Sequence, residues 1–128
     1  MRQIFGFSFE AAHYLPGVPV RDPSYNMHGH TYRAQVEFEG PIEPLTGWVL
    51  IPEDVDKEIE LLHLDLDRRC LNDLDDLANP TLELVARWIF RRLRDRIPSL
   101  VRVTLHATDR RGVICEAADA DAPIVMPD

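Results

Sequence analysis

The chain has 128 residues, a length typical of one domain, and 45% of them are hydrophobic, enough to fill a core. Its formal net charge of −8 at pH 7 is the opposite of the basic footprint of a nucleic-acid-binding protein. No apolar run approaches the roughly 20 residues that a membrane span needs, and the N-terminus lacks the pattern of a signal peptide. We therefore expect one cytoplasmic domain over residues 1–128, with no nucleic-acid or membrane partner.

Two strands are predicted on either side of a proline-rich loop. The segment IFGFSFEAAHYL (4–15) is rich in aromatic residues, which favour strands, and LPGVPVRDP (15–23) has the prolines and glycine of a loop. The segment TYRAQVEFEG (31–40) then alternates apolar and polar residues, as expected for a strand with one buried face. A second turn-rich segment (40–47) and a short apolar run, WVLI (48–51), follow.

Two helices are predicted next. The segment PEDVDKEIELL (52–62) begins with proline and acidic residues, which suit a helix N-terminus. The segment NPTLELVARWIFRRLRDRI (79–97) has apolar residues three and four apart, the spacing of a helix that buries one side. Asn79 and Pro80 are predicted as its N-cap and its first-turn proline.

The chain ends in two further predicted strands. LVRVTLHAT (100–108) alternates in the manner of a strand, and GVICEA (112–117) is a short strand after a turn. The order strand–strand–helix–helix–strand–strand predicts an α+β fold, with the helices on one face of an antiparallel sheet.

The segment NMHGHTY places two histidines on one predicted strand. His28 and His30 share a face, because successive strand side chains alternate between faces. His13 ends the first strand, and antiparallel pairing would bring it beside them. Three protein ligands with a fourth position open is the pattern of a catalytic zinc. Spacing alone leaves open a chance pair on a strand, and His63 and His106 fit solvated or hydrogen-bonded residues.

Several segments carry a family resemblance. FSFEAAHYLPG, NMHGHTY, the pair Leu71–Asn72 and NPTLELVARWI strongly resemble the 6-pyruvoyltetrahydropterin and 6-carboxytetrahydropterin synthase family, in order and over nearly the whole chain. The resemblance implies the tunnelling fold, a four-stranded antiparallel sheet with two helices on one side. It also implies trimers whose sheets close into a barrel, hexamers made of two trimers, and active sites at subunit boundaries. Zinc would be bound by His13, His28 and His30.

Three positions depart from the family pattern. Ser24 stands where the family has a cysteine, Arg68 follows Asp67 where the family has an Asp-His pair, and Ala107 replaces a glutamate that grips the pterin ring. A serine hydroxyl needs a neighbouring base to act in place of a thiol. Arginine cannot move protons at working pH, although its fork can hold a carboxylate or a phosphate. Alanine cannot accept hydrogen bonds from a ring.

These departures shape the expected site. Asp67 is the first candidate for the base, although a charged helix end is often merely solvated, and Ser24 and Tyr25 are candidates to give or take protons. Arg68 is the candidate to bind an anionic substrate group. His106 or Thr108 could bind the substrate in place of Ala107 if the register shifts by one residue.

The resulting hypothesis is a zinc-dependent lyase, isomerase or cyclase that acts on a small oxygenated molecule other than a pterin. Zinc suits such reactions because it polarises an oxygen and makes the adjacent C–H more acidic. Two alternatives remain open at this point. One is a pterin-type synthase with rebuilt acid–base residues, and the other is an inactive oligomer that binds small molecules or scaffolds partners.

Overall fold

The computed structural model describes residues 1–124, which form five strands and three helices. Two short 3-10 turns, Pro23–Tyr25 and Leu71–Asp73, lie between them. In chain order the elements are β1 (Arg2–His13), β2 (His28–Glu39), α1 (Pro52–Leu66), β3 (Arg69–Cys70), α2 (Leu82–Arg96), β4 (Leu100–Thr108), β5 (Arg111–Glu116) and α3 (Ala117–Asp121).

The strands form one sheet in the order β3-β1-β2-β4-β5. β1 and β2 are antiparallel along their whole length, from Arg2 opposite Glu39 to His13 opposite His28. β4 and β5 continue the antiparallel pairing. The predicted α+β fold is confirmed, with its four strands present as β1, β2, β4 and β5.

The fifth strand corrects the predicted count of four. β3 consists of Arg69 and Cys70 alone and runs parallel to β1, opposite Ala11 and Ala12. Two residues are too few to show an alternating pattern, so no periodicity along the chain could predict this strand. The short helix α3 was likewise not predicted, since five residues make little more than one turn.

The start of α2 also differs from the prediction. Thr81, not Asn79, is the N-cap: its side-chain oxygen accepts a hydrogen bond of 3.2 Å from the backbone N–H of Leu84. Pro80 therefore precedes the helix instead of occupying its first turn. This leaves the carbonyl of Pro80 free to turn toward the end of the sheet, where it contacts His13.

The core lies between the helices and one face of the sheet. The alternation of β2 puts Tyr32, Val36 and Phe38 on this face, fully buried. α2 covers the face with an apolar stripe of buried residues: Val85, Ala86, Trp88, Ile89, Phe90 and Leu93.

The other face of the sheet carries charged side chains at the end where β1 begins. Arg2, Glu37, Arg102 and Glu116 form a row of ion pairs across four strands, at N–O distances of 3.4–3.7 Å. The two faces thus differ sharply in character. None of the described helices is long and apolar enough to cross a membrane.

Candidate metal centre

Three histidines meet at one end of the sheet, on the side that faces the helices. His13 ends β1, His28 opens β2 directly opposite it, and His30 follows two residues later on the same face. Their ring centroids lie 4.4, 5.0 and 4.9 Å apart, and their nearest ligand atoms all lie within 4.8 Å of one another. The full pairing of β1 with β2 is what brings them together.

Main-chain carbonyls fix the orientation of two of these rings. The Nδ1–H of His13 donates to the carbonyl of Pro80 at 2.9 Å, and the Nδ1–H of His28 donates to the carbonyl of Asn26 at 2.7 Å. A carbonyl oxygen can only accept, so in the neutral rings both Nε2 atoms carry lone pairs. These two Nε2 atoms face each other at 2.9 Å.

Two lone pairs at that distance repel unless a cation lies between them. A proton on one ring would serve, and so would a metal ion. Imidazole ligands whose other nitrogen donates to a carbonyl are the usual arrangement around protein-bound zinc. The donor set of His13, His28 and His30 therefore fits zinc, with three nitrogen ligands and room for a fourth.

Burial favours the neutral form of the His13 and His30 rings, which is the form that a metal requires. His13 is buried, and this burial lowers its pKa; the Pro80 carbonyl opposes the shift, and the neighbouring His28 and His30 add to it. The pKa of His30 is also lowered, by burial first and by His28 second. A neutral imidazole offers its lone pair to a metal without first losing a proton.

Tyr32 contacts the histidine cluster from the core side. The sequence did not predict this contact. Its ring is fully buried and stacks on Phe9, with centroids 4.9 Å apart, and its hydroxyl oxygen lies 3.3 Å from Nδ1 of His13. Burial raises the pKa of the Tyr32 hydroxyl above its usual value, so this group keeps its proton. The alternation of β2 marked Tyr32 only as a core residue.

Ser24 and Tyr25 lie on the 3-10 turn that leads into β2. The Asp22 carboxylate accepts the backbone N–H of Ser24 at 2.9 Å, and the Ser24 carbonyl accepts the N–H of Leu15. These bonds fix the turn, on which Ser24 is half-buried and Tyr25 is exposed. Within residues 1–124, neither side chain hydrogen-bonds to an imidazole of the cluster.

Asp67 and Arg68 are bound to the edge of β1. The Asp67 carboxylate accepts the N–H of Glu10 at 2.9 Å, and the N–H of Arg68 donates to the Glu10 carbonyl at 2.5 Å. Arg68 has a φ of +57°, and its side chain is 86% exposed. Its Nε lies 3.8 Å from the second carboxylate oxygen of Asp67.

An open cleft of about 590 Å³ lies beside Arg68, on the face of the sheet opposite the imidazoles, since Glu10, Ala12 and Thr31 of that face line it. Arg68 and Arg69 line it together with Gly29, His30 and Cys70. His30 is among the lining residues, but its imidazole is on the helix-facing side with those of His13 and His28, which do not line the cleft.

His106 is placed elsewhere. It lies opposite Arg33, whose side chain points away from the face that carries His28 and His30. Its ring covers Gly112, where an added Cβ would lie 2.4 Å from the ring. Ala107, the next residue, packs against the core on the helix-facing side. The structure therefore does not bring His106 together with the three histidines.

Comparisons with known proteins agree on one family. A family model described as 6-pyruvoyl tetrahydropterin synthase matches residues 4–118. Among solved structures, the 6-pyruvoyl tetrahydropterin synthase of Caenorhabditis elegans superposes with a TM-score of 0.85 at 25% identity. That superposition covers 91% of this chain and 95% of the other.

Two relatives have similar identities and different names. The dihydroneopterin monophosphate aldolase of Pyrococcus furiosus is 35% identical over 102 residues, which cover 80% of this chain and 82% of the relative. The 6-carboxy-5,6,7,8-tetrahydropterin synthase of Synechocystis is 35% identical over 109 residues, with the same coverage of 80% and 82%.

Proposed function

Because this chain belongs to the 6-pyruvoyl tetrahydropterin synthase family, we propose that it is a lyase, isomerase or cyclase that holds zinc with His13, His28 and His30. One observation carries the proposal: two imidazole nitrogens face each other at 2.9 Å while carbonyls hold the opposite nitrogens. Zinc, when bound, polarises a substrate oxygen and makes the adjacent C–H more acidic.

Arg68 binds an anionic group of the substrate. Its guanidinium is exposed at a cleft beside β1 and β2, the strands that carry the histidines, and its planar fork suits a carboxylate or a phosphate. Its left-handed backbone supports the assignment, because a strained conformation held by hydrogen bonds is typical of functional positions.

Asp67 orients Arg68. One of its carboxylate oxygens accepts the Glu10 N–H, and the other lies near the Arg68 guanidinium, so both have partners. Ser24 and Tyr25, on the turn that leads to His28, then hold or move the proton that the reaction requires. Asp67 stays the alternative base, through the oxygen that faces Arg68.

The substrate is a small oxygenated molecule other than a pterin. The argument rests on Ser24, Arg68 and Ala107, which remove a thiol, a proton shuttle and a ring anchor from the family pattern. Ala107 in particular lies on the helix-facing side of β4, the side of the histidines, and offers no acceptor to a ring.

A second candidate function is the retro-aldol cleavage of a carbon–carbon bond in a phosphorylated pterin. It is favoured by the relative named as an aldolase of dihydroneopterin monophosphate. That name combines a phosphate, which Arg68 would hold, with carbon–carbon cleavage next to a hydroxyl. The same Arg68 role therefore serves both candidates, which differ in the ring that the substrate carries.

The deciding experiment is a turnover assay of the zinc-loaded protein. Dihydroneopterin monophosphate and dihydroneopterin triphosphate are compared with hydroxy acids and sugar phosphates, and His28→Ala serves as the inactive control. We expect turnover in the second group that disappears in the variant. Conversion of either pterin at an ordinary enzymatic rate, of about 1 s⁻¹ or more, would overturn the non-pterin assignment and leave the zinc proposal intact.

A further inference from the structure

Asn72 joins two main-chain segments that meet at the histidine cluster. It lies on the 3-10 turn after β3. Its carboxamide oxygen accepts the N–H of Tyr14 at 3.0 Å, and its amide nitrogen donates to the carbonyl of Tyr14 at 2.8 Å. The same nitrogen lies 3.3 Å from the carbonyl of Ala78. One side chain thus engages both main-chain groups of Tyr14.

The Asn72 carboxamide extends the pairing of β1 with β3 by hydrogen bonds beyond the last pair of strand residues. Ala12 pairs with Cys70 in the parallel ladder, and Tyr14 meets the side chain of Asn72 at the same offset along the chain. Tyr14 follows His13 directly, so this contact fixes the end of β1 from which the His13 side chain projects.

The third hydrogen bond reaches the other support of His13. Ala78 lies two residues before Pro80, whose carbonyl accepts the Nδ1–H of His13. Asn72 therefore holds the segment that carries the ligand and the segment that carries its acceptor. No other residue among the described contacts bonds to both.

We propose that Asn72 is the positioning residue of the histidine cluster. Its carboxamide sets the distance between the His13 ring and the Pro80 carbonyl, and so sets the nitrogen that His13 presents to a metal. The inference rests on the proposed zinc site, and its test separates the two.

Gln3 provides a matched control at the opposite end of β1. Its carboxamide makes the same pair of bonds to one residue, accepting the N–H of Leu50 at 3.0 Å and donating to its carbonyl at 3.1 Å. Loss of that pair removes equivalent hydrogen bonds far from the histidines.

The test compares Asn72→Asp with Gln3→Glu. Each change keeps the shape and the acceptor of the side chain and removes its donor. Zinc affinity is measured by competition with a chromophoric chelator, and the visible absorption of the cobalt-loaded protein reports the ligand geometry. We expect Asn72→Asp to weaken zinc binding about 10–100-fold and to change the cobalt spectrum, with Gln3→Glu close to wild type. Equal zinc affinity in both variants would overturn the inference.

Two further measurements keep the inference testable if a premise fails. If the wild type binds no zinc, the proposed function fails, and the tautomer of His13 is then read by ¹⁵N NMR in the metal-free protein. Loss of the Nδ1–H form in Asn72→Asp supports the inference, and its retention overturns it. If Asn72→Asp does not fold, hydrogen exchange at Tyr14 in the wild type decides. Protection of that N–H supports the positioning role of Asn72, and exchange as fast as in an unstructured peptide refutes it.

Discussion

Arg68 adopts a backbone conformation that residues with a side chain rarely take. Its φ of +57° is held by the bonds of Asp67 and Arg68 to Glu10. Glycine would remove the clash between the Cβ and the backbone that makes this region unfavourable for other residues. Its side chain lies in solvent, where the anion-binding role proposed above would place it.

Arg68→Gly is expected to change the free energy of unfolding and the binding of substrate in opposite directions. Relief of the left-handed strain should raise the free energy of unfolding by about 1 kcal/mol, and loss of the guanidinium should weaken binding of an anionic substrate. Arg68→Lys keeps the strain and the charge but lacks the planar fork, so it should weaken binding without the gain in stability. Urea unfolding and substrate KM measure the two effects. A stabilised glycine variant with wild-type KM would show that Arg68 has no role in binding.

The histidine cluster predicts a stability that depends on zinc. A ligand that binds only the folded state stabilises it by ~2.7 kcal/mol at a free concentration of a hundred times its Kd. We expect added zinc to raise the Tm of the wild type and to leave His30→Ala unchanged. His106→Ala is the control, since it removes a histidine from the opposite face of the sheet. Elemental analysis after dialysis gives the second readout, and wild-type zinc content in His30→Ala would place the metal elsewhere.

The two cysteines are expected to react at different rates. Cys115 is buried, and its burial raises the pKa of its thiol, so little thiolate forms near pH 8. Cys70 is half-exposed at the cleft that also contains Arg68. Alkylation of the native protein, followed by peptide mass spectrometry, should modify Cys70 first. Equal rates under native conditions would contradict the burial of Cys115.

Among the elements, those with a long pattern could be read from the sequence. The alternation of 100–108 gave β4 its observed bounds, and the apolar spacing of 79–97 located α2. β3 and α3 could not be found, because their two and five residues are ordered by neighbours and not by their own pattern. The same limit applied to the candidate site. Spacing suggested the three histidines, but the carbonyls of Pro80 and Asn26 carry no residue-specific signal.

The buried side of α2 is expected to contribute strongly to the free energy of unfolding. Ile89 is fully buried between this helix and the sheet, so Ile89→Ala removes apolar contacts and leaves a cavity. The expected loss is about 2–5 kcal/mol in the free energy of unfolding, measured in urea. Leu61→Ala on the exposed side of α1 is the matched control and should cost less than about 0.5 kcal/mol. Similar losses in both variants would contradict the described packing.

At the scale of the whole molecule, the sheet ends in an edge strand whose outer backbone groups could pair with another chain. β5 is the last strand in the order, and its outer edge pairs with no strand of residues 1–124. Ile4 and Ile114, on strands at either side of the sheet, are 61% and 55% exposed. Proteins normally cover or blunt such edges. We therefore propose that the chain assembles with copies of itself into trimers or hexamers.

Light scattering tests this assembly directly. We expect a mass that is three or six times the 14.7 kDa of one chain. Ile114→Lys should shift the protein toward smaller species, because it places a charge at the edge of the sheet. Leu61→Lys changes an exposed leucine of α1 in the same way and should leave the mass unchanged. A wild-type mass of one chain would refute self-assembly.

The carbonyls behind the histidines have a consequence for how such a chain changes over time. The groups that orient His13 and His28 belong to the backbone at Pro80 and Asn26, so a substitution at either position leaves the carbonyl in place. The groups assigned to proton transfer and substrate binding are side chains on turns, at Ser24, Tyr25 and Arg68, where a single substitution replaces them. Single substitutions on the turns can therefore replace these groups while the main chain still orients His13 and His28. A fold arranged in this way is suited to acquiring new substrates.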